Sequence, residues 1–394
     1  MKLLLYSHSF APNVGGVETM VWSLARGLAD LRTIDNRPRF DLTVATETPA
    51  ADFDPRSLPF SVVRQPSPGA LWRLVEATDA VHLAGPALLP LFLAWLARKP
   101  IAVEHHGYQS VCLNGLLIHQ PDGSICPGYF QSRRYSKCVR CQAAEMPWPR
   151  AFVNLLLMFP RHALARVAAC NIAVSRHVLE RLALPKSRVV YHGVETVDAP
   201  TFSVAEISSP QDKLCFAYVG RLVPEKGLLV LLEAAGILRR EPHQFELLLI
   251  GDGPQRAQLQ AVIEQTGLAE TVRITGFLQG PRLAEALARV HAVVMPSLWE
   301  ETAGLAAMEQ LMRGKLVIAS KIGGLLETVG DAGLLCEPGN AEDLMRCMRE
   351  VLHDRAMVIA LGLKGRDRAK SLFDRERMID EHVAAYQQIV GHDT

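Results

Sequence analysis

The stretch Pro296–Lys315, PSLWEETAGLAAMEQLMRGK, holds two carboxylates, Glu301 and Glu309, separated by seven residues in a run otherwise rich in Ala, Leu, Met and Gly. An unpaired carboxylate in apolar company is expensive, so either both side chains reach water or something polar sits between them. Gly304 and Leu305 follow the strand-like run HAVVMPS and open a helix. Glu301 therefore stands at the mouth of that helix, with Glu309 about two turns inside. First-turn N–H groups and the positive helix end favour phosphate, while an ionised carboxylate, an acceptor only, suits sugar hydroxyls. Two such acceptors flanking a phosphate-binding helix end describe a ligand with hydroxyls on both sides of a diphosphate, which is a nucleotide sugar.

Two more strand-to-helix junctions carry unusual residues. In SFAPNVGGVET, Gly15 and Gly16 precede the first helix. A glycine pair lets the backbone approach an anion and leaves N–H groups free to cradle it, or it simply makes a tight turn. In YVGRLVPEKGL, Arg221 and Lys226 bring a forked guanidinium and a mobile ammonium, a combination suited to a diphosphate. Solvated loop charges are the alternative.

These junctions need a framework that delivers strand ends and helix starts together. Short apolar runs alternate with helix-spaced patterns throughout, which predicts α/β architecture with parallel sheets. KLLLY, FDLTVAT, DAVHLAG and IAVEHHG read as strands; Val17, Met20, Val21, Leu24, Leu28 and Leu31 recur at helical spacing between the first two. The pattern lapses over Glu195–Lys213, which is polar and without period, and a second series begins with LCFAYVG, FELLLIGDG, TVRITGF, HAVVMPS and KLVIAS. At 394 residues the chain is too long for one ordinary core. The expected organisation is a Rossmann-like domain over 1–197 with a Cys-rich insertion at about 108–150, then a linker over 198–212. A second Rossmann-like domain follows over 213–372, then a helix over 373–394. That the first domain takes the acceptor, the second the nucleotide sugar, and that the helix returns to the first, is what the resemblance to a known family given below implies. Ligands of such doubly wound sheets bind beyond the strands' carboxyl ends, so the two domains are expected to face a central cleft.

Composition narrows the partners. Hydrophobic residues at 49% and charged residues at 21% are globular values. A net charge of +1, from 42 basic and 41 acidic residues, gives no footprint for nucleic acid. The start, MKLLLYSHSF, has too short an apolar run for a secretory signal, and ALLPLFLAWLA (Ala87–Ala97) falls short of a bilayer span. The expected location is the cytoplasm. GDGPQR lacks the third glycine of a dinucleotide fingerprint, which argues against an oxidoreductase. Asp52 and Asp54 form a D-x-D with the spacing of metal-dependent transferases, read here as incidental in a Pro-containing loop.

GGVE, GRLVPEKG, IGDGP, the Glu301-x7-Glu309 pair and IASKIGGLLETV, in that order, resemble glycosyltransferase family 4, retaining enzymes of the GT-B fold. The resemblance runs from residue 1 to about 390 and ends in FDRERMIDEHVAAY, similar to the family's closing helix. It implies a metal-independent, hexosyltransferase-type enzyme using a UDP-, GDP- or ADP-linked donor and a glycan, lipid-linked or small-molecule acceptor. It further implies that Arg221 and Lys226 hold the diphosphate, Glu309 the ribose and Glu301 the transferred sugar. The backbone of Gly16 would approach the phosphates, and His106 in EHHGYQ would lie near the reacting sugar carbon. His105 alternates to the opposite strand face. Ala303, where the family has an aromatic, and EQLMRGK, in place of smaller residues, depart from its pattern and bear on the donor sugar. The rivals are an epimerase or phosphorylase on the same frame, needing a base carboxylate or pyridoxal lysine that is not evident, and a four-cysteine zinc module for nucleic acid.

Four of the eight cysteines, Cys112, Cys126, Cys138 and Cys141, fall in one insertion with few core-forming residues, closing on a C-x2-C. That spacing suits a structural zinc, and a loop without a core needs such a staple; four unlinked thiols are the other reading. Next, FVNLLLMFPRHALARV (Phe152–Val167) mixes apolar residues with Arg161, His162 and Arg166, below Arg133, Arg134, Lys137 and Arg140. It reads either as a core helix or as a peripheral contact with the inner face of the plasma membrane.

Overall fold

Strands buried on both faces are continuous apolar runs rather than alternating ones, and Leu3, Leu4 and Leu5 of strand β1 (Lys2–Ser7) are all buried. The computed structural model describes residues 1–49, 58–197, 213–242 and 244–391. It divides into two compact units, Met1–Gly193 with Arg375–Thr394, and Val194–Asp374. The linker expected at 198–212 and the Asp52/Asp54 pair lie outside the described residues.

In the first unit, β1 is followed by α1 (Gly16–Asp30), β2 (Asp41–Thr46), β3 (Ser61–Arg64), α2 (Pro68–Glu76), β4 (Ala80–Ala84), α3 (Leu88–Leu96) and β5 (Ile101–His105). A small hairpin, β6 (Ile118–His119) with β7 (Ser124–Ile125), precedes α4 (Tyr135–Gln142), α5 (Trp148–Val167), β8 (Cys170–Ala173), α6 (Arg176–Leu182) and β9 (Ser187–Val189). Seven strands pair in parallel in the order β3-β2-β1-β4-β5-β8-β9, so the winding reverses between β1 and β4. Met20, Val21, Leu24 and Leu28 of α1 are buried at the expected helical spacing.

The Cys-rich insertion is not the coreless loop that its composition suggested. Cys138 and Cys141 ride on α4, and Phe130, Cys138, Val139, Ala151, Leu155 and Met158 form a small core of their own. The apolar helix beyond it begins at Trp148 rather than Phe152.

The second unit runs β10 (Leu214–Val219), a single 3-10 turn (Pro224–Lys226), α7 (Leu228–Leu238), β11 (Phe245–Ile250), α8 (Arg256–Gln265), β12 (Val272–Gly276), α9 (Gly280–Ala288) and β13 (Ala292–Met295). It continues with α10 (Leu305–Met312), β14 (Leu316–Ser320), α11 (Gly323–Val329), β15 (Leu334–Cys336), α12 (Ala341–His353) and α13 (Arg355–Leu372). Its six parallel strands order as β12-β11-β10-β13-β14-β15, with the reversal between β10 and β13. Open α/β sheets bind ligands at such reversals, beyond the strands' carboxyl ends. The final helix, α14 (Arg375–Val390), belongs to the first unit and buries Met378, Ile379, His382, Val383 and Tyr386.

One glycine is demanded by backbone and space together. Gly227, at φ +70°, turns the chain from the 3-10 turn into α7, and a Cβ there would collide with the carbonyl oxygen of Pro296. Gly227→Ala is expected to cost about 2–4 kcal/mol, left-handed strain plus overpacking. Gly236, inside α7, has open space where a Cβ would go, so Gly236→Ala is expected to add about 0.5–1 kcal/mol. Urea unfolding of both variants checks the pair; equal effects would contradict the account.

Candidate functional site

Six of the residues marked by sequence belong to the second unit, at the reversal between β10 and β13. β10 ends beside the loop carrying Arg221 and the 3-10 turn carrying Lys226; β13 runs into the loop of Ser297 and Glu301, then α10. Glu301 is 5% exposed. Lys226 Nζ donates to its Oε1 at 2.5 Å, and Ser297 Oγ donates to the same oxygen at 2.6 Å. Burial acts to raise the Glu301 carboxyl, but Lys226 and the hydrogen bonds outweigh it and hold it below the usual range. The carboxylate is therefore ionised, one oxygen engaged by the lysine. The indole of Trp299 lies under the same ammonium, its ring centroid 5.6 Å from Nζ.

The loop is clamped from behind. Gly324 N donates to Glu301 O at 2.6 Å, Thr328 Oγ1 donates to Ala303 O at 2.5 Å, and a Cβ at Gly323 (φ +58°) would strike the Glu301 backbone. This close approach accounts for the glycines of KIGGLLETV. Gly304, at φ +75°, begins α10 without a side chain to cap it, so its first-turn N–H groups have no side-chain acceptor from the N-cap position. Glu309 is the fifth residue of α10, hence about one turn inside rather than two: the left-handed Gly304 delays the start of the helix. Burial raises the Glu309 carboxyl, with Arg313 opposing. Arg221 has its side chain 75% exposed, 3.8 Å from Glu225. Lys226, Glu301 and the uncapped helix end thus come together, whereas Arg221 stands out in solvent.

Gly15, Gly16 and His106 belong to the first unit. Gly15 is the extended N-cap of α1 and Gly16 its first residue. The carboxylate of Glu18 folds over Gly15 and occupies the space a Cβ would fill, so close approach by the helix's own acid is one reason for the glycine. His105 is buried, with Nε2 donating to Asn171 Oδ1 at 2.9 Å, and burial lowers its imidazole to about 4. His106 emerges just past β5, its Nδ1 3.0 Å from Nε2 of His192. Its Nε2 lies 3.4 Å from Glu104 Oε2, which also has His82 Nε2 at 3.2 Å and His382 Nε2 at 3.5 Å.

Sequence reasoning missed Glu104, His82, His192 and His382. The available signal was a polar residue inside a buried run, as in DAVHLAG and IAVEHHG, because a polar group is rarely buried without a reason. Ser297 was missed too.

Cys112, Cys126, Cys138 and Cys141 line one pocket with Asn114, Tyr129 and Gln142. Gln120 N donates to Cys141 Sγ at 3.3 Å, and Cys112 Sγ donates to Asn114 Oδ1 at 2.9 Å. Burial, reinforced by the other three cysteines, pushes the Cys138 thiol up to about 12. Among the described residues, the two side-chain groups whose ligand atoms all fall within 4.8 Å are His82–Glu104–His382 and Glu104–His106–His192; the thiols form no such group.

Residues 201–368 match the family model described as glycosyl transferases group 1. The chain is 33% identical over 178 residues to the 2-deoxystreptamine glucosyltransferase of Streptomyces kanamyceticus, covering 45% of this chain and 46% of that protein. It is 29% identical over 364 residues to the 2-deoxystreptamine N-acetyl-D-glucosaminyltransferase of Streptomyces fradiae, covering 86% and 83%. The chain spans about half the length of several of the curated relatives it matches. The solved Anabaena protein HepE in complex with UDP-glucose superposes with a TM-score of 0.71 at 19% identity, over 98% of this chain and 99% of that one. The fold is GT-B, two parallel α/β sheets each wound with helices, and residues 201–368 carry a match to the group 1 glycosyl transferases.

Proposed function

We propose that the protein is a retaining glycosyltransferase that moves a hexose-type sugar from a nucleoside diphosphate to an acceptor. The observation that carries this reading is the Ser297–Glu301–Lys226 constellation beside the uncapped N-terminus of α10. The helix end and Lys226 meet the diphosphate, with Arg221 reaching in from solvent. Glu309 accepts from the ribose, and Oε2 of Glu301, the oxygen not held by Lys226 and Ser297, accepts from the sugar. Gly16 offers its amide to phosphate, and His106 is the first-unit group assigned to the reacting sugar. Fixed positive charge and helix N–H groups stabilise the departing diphosphate, so no catalytic metal enters the reaction. UDP is the favoured donor base because HepE is solved with UDP-glucose. Calorimetry with UDP-, GDP- and ADP-sugars tests the reading; no binding of any of them would overturn it.

The acceptor-side proposal is a lipid-linked sugar at a membrane surface. α3 and α5 pack together and leave Phe92, Trp95, Trp148, Phe152 and Leu156 exposed, with Arg133, Arg134, Lys137 and Arg140 exposed nearby in sequence. The contact proposed is peripheral, on the cytoplasmic face; among the described residues no helix is long and apolar enough to cross a membrane. A structural zinc gathered by Cys112, Cys126, Cys138 and Cys141 is the corresponding proposal for the insertion, supported by their shared pocket and the amide directed at Cys141.

Three outcomes are expected. Glu309→Ala weakens UDP binding about ten- to a hundredfold, the loss of a charged-acceptor hydrogen bond of about 1.5–3 kcal/mol; calorimetry showing unchanged affinity would remove its ribose role. Lys226→Ala lowers turnover by about 10²–10³ while changing donor affinity less, because charge grows on the leaving group; kcat and KM for the donor separate the two. Phe152→Ser combined with Leu156→Ser reduces binding to phosphatidylglycerol-containing vesicles by about tenfold or more. Wild-type protein failing to sediment with such vesicles would dismiss the membrane contact.

A further inference from the structure

Glu104 is a carboxylate in the heart of the first unit, 3% exposed, and among the described residues its ion pairs are with histidines rather than with a lysine of the kind that answers Glu301. Around its Oε2 stand the Nε2 atoms of His82 on β4, at 3.2 Å, and of His382 on α14, at 3.5 Å, both side chains fully buried. Three elements distant in sequence thus aim one ligand atom each at a common point, all within 4.8 Å of one another.

The opposite edges of the two imidazoles are already committed. His382 Nδ1 lies 2.8 Å from the carbonyl oxygen of Met378, which only accepts, so Nδ1 carries a proton and Nε2 is the atom left to face Glu104 or a cation. His82 Nδ1 lies 2.9 Å from the hydroxyl of Tyr386, one turn beyond His382 on the same helix. Both Nε2 atoms lie within ion-pair distance of the carboxylate, yet neither meets it in good hydrogen-bond geometry. Wherever both rings are neutral with Nε2 unprotonated, their lone pairs face an ionised carboxylate and repel it. Protonation of His382, which Glu104 favours, is the metal-free way to answer the same charge. A cation at their centre satisfies all three at once.

The spacing suits one. Zinc bonds to nitrogen and oxygen of about 2.0–2.1 Å, set tetrahedrally, hold adjacent ligand atoms about 3.3 Å apart, between the 3.2 and 3.5 Å found here. The hydrogen bonds from the far ring nitrogens to a backbone carbonyl and a tyrosine are the outer support that metal-bound histidines require.

We propose that His82 Nε2, Glu104 Oε2 and His382 Nε2 form a buried structural site for a divalent transition-metal ion, zinc in the first instance. The ion fastens the final helix to the sheet. It also fixes the carboxylate that lies 3.4 Å from His106 Nε2, so it sets the position of His106 without joining its chemistry. His106 falls outside the ligand set, in the separate group with Glu104 and His192. The site is independent of the donor assignment, since it uses none of those residues.

The test is X-ray absorption at the zinc edge with elemental analysis on the full-length protein, because the four thiols offer zinc a chemically different home. The expected result is a nitrogen and oxygen contribution to the zinc shell at about 2.0–2.1 Å, separate from any sulfur contributed by the thiols at about 2.3 Å. That ion is lost in His82→Ala and in His382→Ala and retained in Cys138→Ser. Should either histidine variant fail to fold, the Cys138→Ser, Cys141→Ser double variant decides: its chelator-stripped form regains thermal stability on titration with Zn²⁺, and its Co²⁺ form lacks sulfur-to-metal charge transfer. Zinc held by sulfur alone, at about 2.3 Å, overturns the proposal. So does stripped protein whose Tm ignores added Zn²⁺, which leaves a metal-free carboxylate–imidazole cluster.

Discussion

The arrangement of the second unit depends on keeping one buried carboxylate charged. Glu301 at 5% exposure is tolerable only because Lys226, 75 residues earlier, reaches its Oε1 while Ser297 supports the same atom. Breaking such a pair leaves an uncompensated buried charge, typically about 3–5 kcal/mol. The pair ties the turn after β10 to the loop after β13, the two sides of the sheet's reversal point. Gly227, Gly323 and Gly324 are small because three backbones converge there: the turn into α7 on Pro296, and the start of α11 on the Glu301 loop.

The first unit meets the same problem with different chemistry. Glu104 sits on the strand whose end delivers His106, and imidazoles rather than ammonium surround it. A lysine supplies a full charge wherever its chain can reach. Imidazoles supply charge only when protonated, or serve as neutral ligands when a metal provides it. The outcome is a cluster that ties β4, β5 and the last helix through polar contacts in a place where apolar packing would otherwise do so.

Legibility follows from range in sequence. Parallel strands such as β1, β10 and β14 announce themselves as unbroken apolar runs, and Glu301, Gly304 and Glu309 stand out because they interrupt one short segment. Short strands such as β8, β9 and β15, of three or four residues, give too little periodicity to register. The pairing within the Glu104 cluster was hidden for another reason: the His82–Tyr386 contact spans 304 residues, so the buried polar residues could be noticed singly but not matched to one another. The Cys insertion was half read. Its convergence on one pocket followed from clustering, but Phe130, Val139 and Leu155 give it a core that composition concealed.

Under the proposed glycosyltransferase reading, the Lys226–Glu301 pair would let one lysine act on the transition state more than on the bound donor. In the structure its ammonium is already balanced by a carboxylate at 2.5 Å, so a ground-state diphosphate, its charge spread over two phosphates, must share it. As the sugar–oxygen bond lengthens, negative charge concentrates on the leaving oxygen and the phosphate becomes the stronger competitor. Because the indole of Trp299 and the burial of Glu301 limit water around the ammonium, the gain from that shift is larger than it would be in bulk solvent. Glu301, left with less of the lysine, then offers more of its own charge to the sugar, which is becoming positive. Under the glycosyltransferase reading, one ion pair therefore serves both ends of the breaking bond, and neither partner needs to move far or exchange a proton.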